Sequence, residues 1–289
     1  MNMLVDGEWR TDAYETTNED GEFDRQETTF RDWIQDDPDA EYPAESGRYH
    51  VYISRACPWA HRVAMTRRLL GLTDDISLSI VEPERYDDGW EFSEEYPDPL
   101  YGEEYLRDIY TRADPEFTGR VTVPVLWDTA QETIVNNESR EIMRMLVTAF
   151  GDENGVELLP EGREDEIDDI IDDVYESINN GVYRAGFADT QEAYDAAVED
   201  LFDETDTLGP ITVENLGVNL GAQRDDWEEG EPCPECGSTI ISVMNLTEDR
   251  YVSESGKFEF VKKGDAIGPD TSYVCGNCVS FLKYSPATE

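Results

Sequence analysis

The stretch Arg48-Tyr-His-Val-Tyr-Ile-Ser-Arg-Ala-Cys57-Pro-Trp-Ala-His-Arg62 decides how the chain is read. Tyr49, Val51 and Ile53 alternate with His50, Tyr52 and Ser54, the period of two of a strand. The alternation stops at a cysteine followed by proline. Pro58 suits the first helical position, where its missing N–H would have had no partner. Val63, Met65, Leu69 and Leu70 continue at helical spacing until Gly71 closes the segment. Cys57 thus falls at a helix start, where free N–H groups and the positive helix end are expected to lower a thiol pKa and favour the thiolate. Ala60 stands where a two-cysteine redox motif carries its second sulfur, so a mixed disulfide on Cys57 has to be released by an outside thiol. A lone cysteine can also be a small buried hydrophobe, and the strand, Cys-Pro, helix context argues against that here.

Outward from this unit the elements follow in a fixed order. A strand is predicted over Ile76–Val81, then an insertion over 82–115 long enough to be functional or a lid, holding Trp90 and Phe92. The run Arg120-Val-Thr-Val-Pro-Val-Leu-Trp127 reads as a strand interrupted by Pro124, which signals an edge, a bulge or a cis peptide, with 132–135 as its hairpin partner. Asn136-Asn137-Glu138-Ser139 then opens a helix carrying Ile142, Met145, Leu146 and Phe150, and a helix N-terminus can hold a carboxylate. The order β-α-β, connection, β-β-α is that of an α/β thioredoxin-like fold over 48–155. Before it, residues 1–47 read as an acidic, irregular arm anchored by Phe23, Phe30, Trp33 and Ile34. After it, over 156–208, two helices carry apolar stripes expected to be core: Ile167, Ile170, Ile171, Val174, Tyr175 and Ile178, then Ala193, Tyr194, Ala197, Val198, Leu201 and Phe202. A weak strand is read over 211–220.

Composition bounds the function classes. The 289 residues are 38% hydrophobic, enough for a core, but 22 Lys and Arg against 68 Asp and Glu leave a net charge of −46. An acidic surface of this kind suits concentrated salt, where self-repulsion is screened, and it disfavours nucleic-acid binding, which needs clustered Lys and Arg. No apolar run approaches the ~20 residues of a membrane span, and the first residues lack the pattern of a signal peptide, so a cytoplasmic protein without membrane contact is expected. No lysine precedes Lys257. Composition therefore changes near residue 209, and 209–289 reads as a separate domain.

That domain holds the remaining cysteines as two pairs, Cys233-Pro-Glu-Cys236 and Cys275-Gly-Asn-Cys278. Four thiolates on two knuckles, with strands over 239–246, 258–261 and 272–274 between them, are the layout of a small β-rich zinc ribbon in which the metal supplies folding energy. Two separate redox pairs are the competing reading. A four-thiolate site is closed and structural, which leaves the ribbon's surface for a protein partner.

Five separated stretches carry a family resemblance: Cys57-Pro-Trp-Ala-His-Arg62, Gly89-Trp-Glu-Phe92, Gly119-Arg-Val-Thr-Val-Pro-Val-Leu-Trp-Asp128, Asn137-Glu-Ser139 and Asn180-Gly-Val-Tyr-Arg-Ala-Gly-Phe187. They resemble the glutathionyl-hydroquinone reductases, the xi class of glutathione transferases, over residues 21–207. The resemblance implies an enzyme with a thioredoxin-like domain that binds glutathione or a related γ-glutamyl thiol, and a helical extension, here shortened, that completes a quinone pocket. It implies that Cys57 attacks the sulfur of a small quinol thioether, expels the hydroquinone and is freed from the mixed disulfide by a second thiol. By position, Val123 would pair with the cysteinyl backbone of the thiol, and Glu138 and Ser139 would take its γ-glutamyl end. Arg120 would meet a carboxylate, Trp90 would form an aromatic wall, and Tyr183 would hydrogen-bond the quinol oxygen. A homodimer is implied as well. The contrasting expectation is a non-catalytic transferase scaffold that carries the ribbon as an interaction module.

Overall fold

The computed structural model describes residues 2–13, 15–151 and 155–208, and the backbone of five strands between 241 and 285, side chains being described as far as residue 203. The chain divides into two compact units, Met1–Glu204 and Thr205–Glu289. In the first, β3 (Tyr49–Ser54) lies inside a four-stranded sheet of order β4-β3-β5-β6, with β4 (Ile76–Val81), β5 (Val125–Asp128) and β6 (Thr133–Asn136). β3 runs parallel to β4 and antiparallel to β5, and β5 antiparallel to β6. All six residues of β3 are buried, on both faces of its alternation. Helix α1 (Pro58–Leu69) packs on β3 and on α3 (Ser139–Ala149). Gly71 ends α1 at φ +83°, a left-handed conformation that favours glycine, and its N–H donates to Arg68 O at 3.1 Å. This is the expected thioredoxin-like arrangement.

Two long segments are more ordered than their composition suggests. Residues 1–47 are not irregular throughout: β1 (Met3–Val5) and β2 (Glu8–Arg10) form a hairpin whose turn residues Asp6 and Gly7 both take positive φ. Asp-Gly between short apolar runs is the sequence signal for that turn. Leu4 is buried and exchanges backbone hydrogen bonds with Gly119 at 3.0 Å each way. Further along, Asp32 N–H donates to Val135 O at 2.9 Å, and Arg31 holds Glu141 through Nε at 2.7 Å and through Nη2, so the arm lies along the edge of β6. The insertion 82–115 is not a detached lid either. It contains α2 (Leu106–Ala113), whose Leu106, Ile109 and Tyr110 are buried together with Phe92, and α2 packs on β6. Apolar residues at i, i+3 and i+4 bind it to the core.

The helices after residue 155 depart from expectation in the opposite sense. α4 (Glu164–Val174) continues into a π-helical turn (Tyr175–Asn179), followed by α5 (Gly181–Gly186) and α6 (Gln191–Leu208). Their apolar stripes are not core among the described residues. α4 has no buried residue, Ile170, Tyr194 and Phe202 are exposed, and only Ala193 and Ala197 of the named positions are buried. Ile167 and Ile171 face a shallow groove with Thr66, Met143, Val147 and Leu158, so α4 has one neighbouring surface, where a core helix needs several.

In the second unit, β7 (Ile241–Asn245), β10 (Thr271–Cys275) and β11 (Phe281–Ser285) form an antiparallel sheet of order β11-β10-β7, and β8 (Arg250–Glu254) pairs with β9 (Lys257–Lys262). Three of these strands coincide with those expected from sequence. The strand read over 211–220 lies outside the described residues, as do Cys233, Cys236 and Cys278 and the side chain of Cys275. Among the described residues, no helix is long and apolar enough to cross a membrane.

A buried titratable group in β3 gives the fold a pH signature. His50 is almost fully buried, with Nδ1 2.7 Å from Ser77 Oγ and its ring against Tyr52. Burial lowers its pKa from the ordinary 6.5 to about 4, against the opposing pull of Asp98. The folded state holds the neutral ring, whereas the unfolded chain takes a proton first as pH falls. The contribution is therefore full above pH 6.5 and lost as pH falls through 4, on the order of 3 kcal/mol. Urea unfolding of the wild type should lose stability from pH 7 to 4 more steeply than His50→Gln by that order; parallel curves would refute the assignment.

Candidate functional site

Cys57 occupies the N-cap of α1 with extended backbone (φ −102°, ψ 112°), and Pro58 is the first helical residue, as the sequence implies. Opposite it, the Val123–Pro124 peptide is cis. The Cys57 thiol donates to Val123 O at 3.5 Å, joining two segments 66 residues apart. The expected fall in thiol pKa is not what results. Burial pushes the Cys57 thiol up, and this outweighs the hydrogen bonds from the Ala60 and Trp59 backbone N–H groups and the charges of Arg25 and Arg62, which act downward. The local motif predicts the donors correctly; desolvation comes from tertiary neighbours that the motif does not contain.

At the start of α3, Glu138 is the N-cap and accepts from Arg140 N–H at 3.2 Å, and Ser139 is buried. Ser139 Oγ accepts from Arg62 Nη2 at 2.6 Å and Nε at 3.1 Å, with Glu138 Oε1 3.9 Å from Arg62 Nη2. Arg62 was in view only as part of a motif, without a role. Its position on α1, one turn beyond Pro58, brings a guanidinium to the one helix end read as a carboxylate site.

A cavity of about 540 Å³ joins these elements. Of the residues singled out in the sequence, Val123, Glu138, Ser139 and Arg120 line it, together with Pro124, Trp59 and Tyr175. Much of the remaining wall comes from the arm, from Phe23 through Arg31, which sequence reasoning treated only as packing. The arm is fixed there by Gln26, whose Oε1 accepts from Arg120 N–H at 2.9 Å. Tyr183 of α5 stacks near Trp59, with ring centroids 6.1 Å apart. Burial first, then the neighbouring Cys57, push its hydroxyl pKa up, so it stays a hydrogen-bond donor at neutral pH. Cys57, through Val123 O, and Tyr183, through Trp59, stand beside this cavity without being among its lining residues. Trp90 is not among the residues lining this cavity: its ring packs against the core with the Arg85 guanidinium 5.9 Å away. Burial, then repulsion from Arg120, lower Arg85 to about 10.

Comparisons with known proteins agree with this geometry. A family model described as the glutathione S-transferase N-terminal domain matches residues 56–149. The glutathionyl-hydroquinone reductase PcpF of Sphingobium chlorophenolicum is 46% identical over an alignment of 291 residues, covering 99% of this chain and 88% of that protein. The glutathionyl-hydroquinone reductase YqjG of Escherichia coli is 44% identical over 224 residues, covering 73% of this chain and 68% of that protein. Among solved structures, a xi-class GST from Natrialba magadii is 56% identical with a TM-score of 0.67, covering 72% of this chain and 64% of that one. The glutathione-bound structure of YqjG is 41% identical with a TM-score of 0.61, covering 71% and 65%. This chain therefore spans just under two thirds of the length of these solved structures, while its sequence similarity to PcpF runs on past residue 208, where the motif resemblance ends. With the Cys-Pro helix start, the cis proline and the helix end at Ser139 in one region, and with these identities, the chain belongs to the glutathionyl-hydroquinone reductase family of xi-class glutathione transferases.

Proposed function

We propose that the protein removes glutathione, or a related γ-glutamyl thiol, from glutathionyl-hydroquinones through a mixed disulfide on Cys57. The observation that carries this reading is the meeting of the Cys57 thiol with Val123 O, beside a cavity that continues to Glu138 and Ser139. In the first step the Cys57 thiolate attacks the thioether sulfur of the quinol conjugate in its keto form. The S–S bond forms, the C–S bond breaks, and its electron pair passes through the ring to the oxygen, restoring the aromatic quinol. Tyr183 donates a hydrogen bond to that oxygen. In the second step a free thiol attacks the mixed disulfide, releasing the disulfide product and Cys57 thiol. With Ala60 in place of a second cysteine, the Cys57 motif carries no sulfur of its own for that step.

The thiol portion would lie along Val123 by backbone pairing, with its γ-glutamyl carboxylate at the Ser139 hydroxyl and Arg62, its amine on Glu138, and its other carboxylate towards Arg120. Backbone pairing to Val123 O would take over the acceptor now used by the Cys57 proton. We assign the acidic surface to work in concentrated salt in the cytoplasm.

The four remaining cysteines are read as a zinc site. The register supports this: Cys275, the last residue of β10, pairs with Ile241, the first of β7. Cys236 precedes Ile241 by five residues and Cys278 follows Cys275 by three, so both Cys-x-x-Cys pairs flank the same end of one antiparallel ladder in sequence. Four thiolates would hold a zinc ion that stabilises the small sheet without entering the reaction.

Three outcomes are expected. Mixing the protein with a glutathionyl-hydroquinone should release one equivalent of hydroquinone with a matching mass gain on Cys57, and Cys57→Ser should do neither; absence of the adduct on reduced wild type would favour a scaffold without activity. Iodoacetamide labelling of Cys57, followed by peptide mass, should show a pH midpoint above that of a short peptide containing the same cysteine, because burial outweighs the helix end; a lower midpoint contradicts the assigned balance. Elemental analysis should give one zinc per chain, lost in a Cys275→Ser, Cys278→Ser double variant; a metal-free wild type purified without chelator would leave the ribbon without support.

A further inference from the structure

The cavity holds a cation that none of these roles uses. Arg25, on the arm, places its guanidinium carbon 4.6 Å from the Tyr183 ring centroid, 5.3 Å from that of Trp59 and 5.2 Å from that of Phe23. Its Nε donates to Asn180 Oδ1 at 2.8 Å. Its Nη2 is sealed from solvent and has no hydrogen-bond acceptor among the described residues. Aromatic faces attract the charge of a guanidinium but do not accept from its in-plane N–H groups, so this donor calls for an oxygen that the described residues do not offer.

The surroundings say what kind of oxygen fits. In the reading above, the γ-glutamyl end of the thiol is taken by Ser139, whose Oγ accepts from Arg62. Arg25 instead lies among Phe23, Trp59 and Tyr183, a setting that accepts a flat aromatic ring and leaves an N–H for an atom at its rim. Its charge reaches the reacting groups, acting downward on the Cys57 thiol and on the Tyr183 hydroxyl.

We propose that Arg25 is a catalytic residue of the quinol-releasing step, its Nη2 donating to the ring oxygen that receives the C–S electron pair, beside the hydroxyl of Tyr183. This deepens the reading given above and rests on it. Arg25 keeps all its protons throughout: the negative charge that begins on the Cys57 sulfur ends on the quinol oxygen, and Arg25 stabilises it at its destination. The N-terminal arm thereby becomes part of the catalytic apparatus.

The test compares wild type, Arg25→Gln and Arg25→Lys in single turnovers, with a series of glutathionyl-hydroquinones whose ring substituents vary the acidity of the released quinol. The same proteins are then reacted with oxidised glutathione, where Cys57 expels a thiolate and no quinol oxygen develops. Arg25→Gln is expected to slow quinol release about a hundredfold, with a steeper dependence on quinol acidity, and to slow the oxidised glutathione reaction only a few-fold; Arg25→Lys should recover part of the first loss. Equal slowing of both reactions with an unchanged acidity dependence would overturn the assignment and make Arg25 a strut for the arm. Arg25→Lys keeps the charge for the strut and so provides the comparison if Arg25→Gln folds poorly. A wild type that forms no adduct on Cys57 defeats the function reading itself, a result distinguishable from failure of the Arg25 role alone.

Discussion

In the reaction proposed for it the Cys57 sulfur has to ionise, yet burial opposes that ionisation. The end of β3 and the start of α1 fix Cys57, and the 123–124 segment lies close enough that the partly buried thiol donates to Val123 O. Desolvation then exceeds what two backbone N–H groups return. The remaining downward pull comes from Arg25 on the arm and Arg62 on the second turn of α1, two side chains distant in sequence. Reactivity at Cys57 is therefore a property of converging segments: loss of Arg25 or Arg62 shifts the balance further towards the protonated thiol, whereas loss of the 123–124 cover relieves it.

The same arginines have to be understood against the charge of the chain. With a net −46, the protein would repel an anionic tripeptide conjugate at low ionic strength. Screening shortens the reach of that repulsion, from roughly 10 Å at 0.1 M salt to about 3 Å at 1 M. Contacts such as Arg62 on Ser139, at 2.6 Å and partly buried, are shorter than either length and persist. Concentrated salt would thus remove the unfavourable distant field while leaving the local cations to act, which would make the acidic surface compatible with the anionic substrate proposed above.

What the sequence made legible was local. The period-two run, the Cys-Pro junction, the proline after Val123 and the Asn-Glu-Ser helix start each have short-range causes and each appears where expected; of the three readings open for Pro124, the structure has the cis peptide. Features produced by packing between distant segments were not legible. The rise in the Cys57 pKa depends on what covers it, Arg62 meets Ser139 from 77 residues away, and the arm's cavity wall follows from Gln26 and Arg31 binding partners beyond residue 119. The apolar stripes after residue 164 were misread for a related reason: helical spacing identifies a face that could be buried, but burial needs a second surface. The hairpin at Asp6-Gly7 is different, since its signal was present and local.

The π-helical turn at Tyr175–Asn179 explains how the helical segment reaches the site at all. Asn180 N–H donates to Tyr175 O at 2.7 Å, five residues back, so one extra residue is accommodated between α4 and α5. An extra residue in a turn rotates everything after it by about 100° relative to an uninterrupted α-helix. Before the turn, Ile167 and Ile171 face the groove beside α1 and α3; at and after it, Tyr175, Glu176 and Asn180 line the cavity, and Tyr183 joins Trp59 and Arg25. A regular helix with the same residues would keep the first face and carry Asn180 and Tyr183 away from it. The turn lets one continuous segment serve two surfaces, packing with its first half and presenting an amide and a phenol with its second, so the position of Tyr183 is set by a backbone irregularity eight to four residues upstream.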